Sequence, residues 1–202
     1  MTTDLRDRIL QTSTRLFRSK GYAAVGVTDV CKAVGVSRAH FYRLFDSKCS
    51  LAVESIAVFA AERDAMVARA LCADLPIRGQ VQRMFATLHA EQLAALERTG
   101  VVPGSPFALF ADDDPDDASR LRAAVDAALG QWRGRLAAAL SLANGRGEVS
   151  LTDTAYAAEA IVALAEGALA LARVSNNPKL IVELAPAAMS LMLDRKATGS
   201  WP

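Results

Sequence analysis

Thr28-Asp29-Val30-Cys31-Lys32-Ala33-Val34-Gly35-Val36-Ser37-Arg38-Ala39-His40-Phe41-Tyr42-Arg43-Leu44-Phe45 is the stretch whose reading decides the fold of this chain. Thr28 followed by Asp29 offers a cap for a short helix through Val34, Gly35 permits the tight turn that follows, and Ser37 caps a second helix running to Phe45. Val34, Val36, Phe41 and Phe45 supply an inward apolar face, while Arg38, His40 and Arg43 point outward. Two short helices around a glycine turn form a helix-turn-helix whose second helix fits a DNA major groove. An ordinary solvated helix face carries the same residue types, so charge has to discriminate.

Residues 1–48 hold nine basic and four acidic side chains, a net +5, which leaves −4 on the remainder of a chain whose total is +1. A basic head on a mildly acidic body is the layout of a protein that meets a polyanion at one end. Upstream, Leu5, Ile9, Ser13 and Leu16 recur at helical spacing beside Leu10 and Phe17, and Gly21 marks the stop of a first helix. Downstream, Ser47 caps a long fourth helix to about Cys72. Further helices are expected over Pro76–Thr99, Asp116–Leu142, Thr152–Arg173 and Pro178–Lys196, separated by turn-forming residues at 100–106, 112–117, 144–147 and 176–178. No strand pattern is visible, so the class is all-α. Its expected organisation is a three-helix DNA-binding head, residues 1–48, joined by a long helix to a helical effector-binding and dimerisation body, residues 49–202.

Of 202 residues, 52% are hydrophobic, ample for a packed core. Cys31, Cys49 and Cys72 form neither a disulfide framework nor a zinc motif, and a cytoplasmic protein is expected. The N-terminus shows no signal-peptide pattern. The apolar stretch from Ala155 to Ala172 contains Glu159 and Glu166 on one helix face and reads as a packed helix, not a membrane span. Cys31 and Cys72 read as packing residues, and Cys49, near a helix start, as either packing or a redox-sensitive thiol. The run Asp112-Asp113-Asp114-Pro115-Asp116-Asp117 has a calcium-loop composition without the glycine and glutamate of an EF-hand, so a solvated loop is expected. Phosphate loops, catalytic triads and metal signatures are absent from the sequence. The chain reads as no enzyme, with no cofactor and no metal.

Leu16-Phe17, Gly21-Tyr22, Val27-Thr28-Asp29-Val30, Gly35-Val36-Ser37-Arg38-Ala39-His40-Phe41-Tyr42-Arg43-Leu44-Phe45, Ser47-Lys48 and Leu51 together resemble the TetR family of bacterial regulators. The resemblance implies that Tyr42 contacts the DNA backbone and that Lys48, at the start of the fourth helix, grips a phosphate. The DNA-facing set is then Thr28, Ser37, Arg38, Ala39, His40, Tyr42, Arg43 and Lys48. Leu44 departs from the family's polar residue at that place, removing one backbone contact. Gly104-Ser105-Pro106-Phe107, Trp132 and Glu166-Gly167-Ala168-Leu169-Ala170-Leu171-Ala172-Arg173 resemble the multidrug-type repressors more loosely. Ser105 stands where some relatives carry a sensing cysteine.

The resemblance also implies an effector cavity, for which Phe59, Phe85, Phe107, Phe110, Trp132 and Tyr156 are the apolar candidates and His89 and Glu159 the polar anchors. Core packing accounts for each aromatic separately. It further implies a homodimer through the last two long helices, whose small residues permit close approach, so that two heads read half-sites about 34 Å apart or a multiple of that. The expected function is a repressor that binds a double-stranded, pseudo-palindromic operator as a dimer and is released by a small hydrophobic effector, without a membrane partner. An activator of the same fold, or a helical ligand carrier without specific DNA binding, remains an alternative.

Overall fold

The structure is a computed structural model that describes residues 2–72, 74–110 and 115–192. Asp112, Asp113 and Asp114 of the acidic run, the expected helix end at Lys196 and Trp201 lie outside the described residues. Nine α-helices occur among the described residues: α1 Thr2–Lys20, α2 Val27–Val34, α3 Arg38–Tyr42, α4 Lys48–Ala70, α5 Ile77–Thr99, α6 Pro115–Gly145, α7 Thr154–Val174, α8 Lys179–Glu183 and α9 Ala185–Ser190. A short 3-10 turn spans Phe107–Leu109.

Two compact units form, one of Met1–Arg63 with Ser105–Gly130 and one of Asp64–Gly104 with Gln131–Pro202. The expected division at 48/49 was one of roles. The packing units divide the chain elsewhere, because α4 and α6 each run from one unit into the other.

In the first unit, Ile9 and Phe17 of α1, Val30 of α2, Phe41 of α3 and Leu51 and Ile56 of α4 are all buried to within 1%. Burial of these side chains is what holds helices of eight and five residues, too short to persist alone. Helix α2 starts two residues earlier than a cap at Thr28 predicts: its cap is Gly26, whose N–H donates to the Asp29 carboxylate at 2.8 Å. Gly35 closes α2 at φ 80°, a left-handed conformation that glycine adopts without a Cβ penalty, and the N–H groups of Gly35 and Val36 both return to the Cys31 carbonyl. Ser47 and Ser50 cap α4 reciprocally, each backbone N–H donating to the other's hydroxyl.

In the second unit, α5 packs on α8 and α9, and α7 on α8. Pro76 gives α5 no side-chain cap, so Glu148 supplies one from elsewhere in the unit: Ile77 N–H donates to Glu148 Oε2 at 2.7 Å, and Arg146 Nε to Oε1 at 2.7 Å. The Ile77 amide, then Arg146, hold the Glu148 carboxyl below its ordinary range. A carboxyl depressed on folding stabilises above its unfolded pKa and loses that contribution as pH falls through the folded one. Acidification is therefore expected to fray the start of α5. Hydrogen exchange at Ile77 should accelerate below the ordinary carboxylate range, and Glu148→Gln should flatten that dependence.

Gly104, at φ 73°, leaves no room for a side chain: a Cβ there would lie 3.0 Å from Arg173 Cβ and 3.2 Å from the Leu169 carbonyl. Gln92 secures the turn by donating to the Gly104 carbonyl and accepting from its N–H at 2.8 Å. Gly104→Ala is expected to lower unfolding stability by about 1–3 kcal/mol, measurable in urea.

One long terminal helix was expected over Pro178–Lys196, but the chain breaks at Leu184 into α8 and α9. Pro186 lies in the first turn of α9, where its missing N–H and its ring interrupt a continuous helix. Helix α7 is long and apolar enough by length and composition to cross a membrane, with 44% of that window buried. Cys72 is exposed, not a packing residue: its thiol donates to Asp74 at 3.2 Å, and Arg83 forks onto the Asp74 carboxylate and the Cys72 carbonyl. The Arg83 contact, then the Cys72 thiol, hold the Asp74 carboxyl far below its usual range.

Candidate nucleic-acid interface

Phe41 points into the core of the first unit, and its ring meets Tyr42 edge-on at 5.2 Å and Phe45 at 5.7 Å. With Phe41 fixed inward, helical geometry turns Arg38, Ala39, His40 and Tyr42 to the outside. Thr28, Ser37, Arg38, Ala39, His40, Tyr42 and Arg43 are all exposed, and Lys48 is half-buried. Of the eight residues expected to face DNA, seven are thus exposed.

Basic side chains in the first unit are sorted by role. Arg6 pairs with Glu54 at 2.7 Å and lies over Phe45, while Arg18 pairs with Glu62 and lies over Phe59. Arg8 donates to the Val34 carbonyl at the end of α2. These three arginines hold α1 against its neighbours, whereas Arg38 and Arg43 remain on the exposed surface of the motif. The Arg38 guanidinium sits 5.9 Å from the Tyr42 ring centroid, a loose cation–π arrangement that keeps both groups on one surface. Burial pushes the Cys31 thiol up, partly offset by Arg38, so it stays protonated. Cys49 is also buried, its thiol 4.0 Å from the Asp117 carbonyl.

Ser37 caps α3: the His40 N–H donates to Ser37 Oγ at 3.2 Å, and the same oxygen lies 2.8 Å from His40 Nδ1. Lys48 is held by Tyr22. Its ammonium donates to the Tyr22 carbonyl at 3.2 Å and stands 3.8 Å from the ring centroid. Tyr22 is fully buried, its N–H donates to the Leu109 carbonyl at 2.9 Å, and its hydroxyl donates to Asp117 at 3.1 Å. Sequence reasoning gave Tyr22 no part of its own, since its partners lie 26, 87 and 95 positions away and leave no local period. The Gly26–Asp29 cap was legible in principle from its three-residue spacing.

The aromatic residues expected in an effector cavity are distributed over both units. In the first, Phe110 stacks within 6.4 Å of Phe17, Tyr22 and Phe59. Phe107 and Phe110 line a mainly apolar groove of about 350 Å³ with Ala118, Val125 and Leu129, to which Arg122 and Asp126 add charge. In the second unit Phe85 and Trp132 are buried, Trp132 donating its Nε1–H to Met84 Sδ at 3.4 Å, and His89 is half-buried. Glu159 pairs with Arg133 at 3.2 Å on the exposed side of α7, and Tyr156 is 73% exposed, so neither lines an enclosed space. A polar cleft of about 570 Å³ bordered by Arg78, Asn144, Glu148 and Ser150 contains none of the expected residues.

A glycine-turned helix pair with an exposed cationic second helix, carried on a long α4 into a helical body, defines a helix-turn-helix protein of the bacterial regulator type. The family described as Bacterial regulatory proteins, tetR family, matches residues 9–54, and the Tetracyclin repressor-like, C-terminal domain matches residues 81–188. The chain belongs to the TetR family, whose members are regulators and not enzymes. A stretch of 45 residues is 47% identical to an uncharacterized HTH-type transcriptional regulator of Mycobacterium tuberculosis strain H37Rv, and the match spans 22% of each chain's length. Among solved structures, a TetR-family regulator from Cytophaga hutchinsonii superposes with TM-score 0.79 at 20% identity, covering 97% of this chain and 98% of that one. One from Agrobacterium tumefaciens gives 0.78 at 20% identity over 96% and 100%. A third, from Chloroflexus aurantiacus, gives 0.78 at 24% identity over 94% of each. At these identities the likeness concerns the fold.

Proposed function

We propose that this chain is a cytoplasmic transcriptional repressor that binds a pseudo-palindromic DNA operator as a homodimer and leaves it when a small hydrophobic effector binds. The exposed cationic surface of α3, held outward by buried Phe41, carries this reading. Residues 1–48 supply the DNA contacts, and residues 49–202 respond to effector and dimerise.

The outer face of α7 favours a partner copy over lipid. Tyr156, Leu171 and Val174 are exposed there at 73%, 54% and 86%, beside Gly167 and the Arg133–Glu159 ion pair. An ion pair on that face suits a protein interface better than a hydrocarbon layer. The groove under Phe107 and Phe110 is the favoured effector site. Phe110 touches Tyr22, and Tyr22 holds Lys48, so an occupant that moves Phe110 changes the seat of a DNA-facing lysine. A ligand that binds the DNA-incompetent arrangement more tightly shifts the population away from operator.

The test is retention of sheared genomic DNA by the purified protein at moderate salt, followed by sequencing. Enrichment of one or a few palindromes supports the regulator. Uniform retention that vanishes with salt, with a co-purified effector excluded, would turn the reading to a ligand carrier. Reporter output from the enriched sites, with and without the gene, separates repression from activation.

A further inference from the structure

We infer that His40 is a specificity-determining residue that reads guanine in the major groove through its Nε2–H, with Ser37 as the positioning residue that sets its hydrogen-bonding polarity. The inference rests on the DNA-binding reading above and names which chemical edge that surface recognises.

Ser37 Oγ has one proton to give and lone pairs to receive. The His40 backbone N–H, 3.2 Å away, uses a lone pair, and Nδ1 of the same histidine is 2.8 Å from the oxygen. With the hydroxyl proton directed at Nδ1, both contacts are satisfied and a neutral ring carries its own proton on Nε2; the opposite tautomer, with Nδ1–H donated to Oγ, leaves Nε2 an acceptor that would meet a base amino group instead. If the ring is protonated, Nδ1–H donates to Ser37 instead and Nε2 is still a donor. We take the two states in which the outward nitrogen donates, and guanine rather than an amino-bearing base at the His40-dependent position is what distinguishes them from the acceptor tautomer.

The backbone contact fixes the start of α3 and the Nδ1 contact ties the imidazole to its cap, so the outer nitrogen is presented in a restrained position on an exposed surface. Arg38 and Arg43 carry planar guanidinium forks on long flexible stems, which suit phosphate and guanine alike. His40 is short, planar and tethered, which suits a base edge. Among base edges, guanine shows adjacent N7 and O6 acceptors. Adenine shows N7 beside an amino donor that opposes an incoming N–H, cytosine an amino donor, and thymine one acceptor beside a methyl. A single fixed donor therefore favours guanine. Ser37, whose oxygen is committed to the cap and the ring, acts through His40 and not by its own contact with DNA.

The experiment is in vitro selection from a random duplex library with the full-length protein and the variants His40→Ala, His40→Gln and Ser37→Gly. Glycine is the milder replacement for a capping serine and removes the side chain together with its hydroxyl. The wild type should select a motif in which one position per half-site is guanine, favoured by about tenfold over the other bases. His40→Ala should erase the preference at that position and leave the other positions intact. His40→Gln should turn it towards adenine, because a carboxamide offers donor and acceptor together. Ser37→Gly should weaken the guanine preference several-fold at the same position alone, a change that mere loss of helix stability would spread over the whole motif. A wild-type motif that survives His40→Ala at every position overturns the inference and leaves the regulator standing. So does a His40-dependent position occupied by adenine, cytosine or thymine. If Ser37→Gly changes nothing, the polarity argument fails. If the wild type selects no motif, the DNA-binding reading falls and this inference with it.

Discussion

Phe41→Ala is expected to destabilise the protein by about 3–5 kcal/mol and to abolish operator binding, although Phe41 itself faces away from DNA. The ring is fully buried among the side chains of α1, α2 and α4, and α3 is only five residues long. A helix of that length has no stability of its own and exists because its one deeply buried side chain is anchored. Removing the ring costs the apolar transfer energy and leaves a cavity. It also frees the turn that carries Arg38, His40 and Tyr42. Urea unfolding measures the first effect and a DNA-binding titration the second. Tyr42→Phe is the contrast: Tyr42 is 46% exposed, so loss of its hydroxyl should leave unfolding unchanged and weaken DNA binding alone. Equal stability of Phe41→Ala and wild type would mean that α3 is held by something other than this anchor.

The same asymmetry explains what was legible in the sequence. Gly35, Ser37, Phe41 and Phe45 act within a few residues of one another, so caps, turn and inward face of the motif follow from local spacing. The long helices were likewise readable from period and breakers, and α4, α5 and α7 fall within a few residues of their expected ends. Three features were misread. The start of α2 at Val27 depends on Asp29 reaching back to Gly26, which outcompeted Thr28 as the visible capping signal. The break at Leu184 was masked by the apolar pattern that continues through Leu184, Ala188 and Leu191, although Pro186 announced it. Cys72 was read as a small hydrophobe, yet Arg83 and Asp74, brought to it by the fold, make it a polar surface residue. The exposure of Thr28, Arg38, His40, Tyr42 and Arg43 was legible by type, because polar and cationic side chains opposite an inward Phe41 need no distant partner to be placed. Which aromatics line a groove was not legible, because an aromatic that packs and one that borders open space look alike until the fold places Phe110 at a groove and Phe85 in the core.

Operator affinity is expected to fall by about three orders of magnitude between 50 and 200 mM salt. Arg38, Arg43 and Lys48 are the cations proposed to meet phosphate, Arg6, Arg8 and Arg18 of α1 being engaged within the first unit. In a dimer they would neutralise about six phosphates, and each released counterion contributes about −0.9 to the slope of log K against log salt. Lys48→Ala should make that slope shallower by about two, one unit per half-site, and weaken all sequences alike. Because the Lys48 ammonium also donates to the Tyr22 carbonyl and stands 3.8 Å from its ring, a second explanation exists in which Lys48 only secures Tyr22. The slope separates the two: a lysine that touches phosphate changes it, and one that merely props the head lowers affinity at constant slope. Tyr22→Phe sharpens the comparison, since it removes only the hydroxyl bond to Asp117 and keeps the ring and carbonyl on which Lys48 sits. That variant should retain the full wild-type slope while its release by effector is altered, which would place Tyr22 between the groove and the lysine and not merely beneath it.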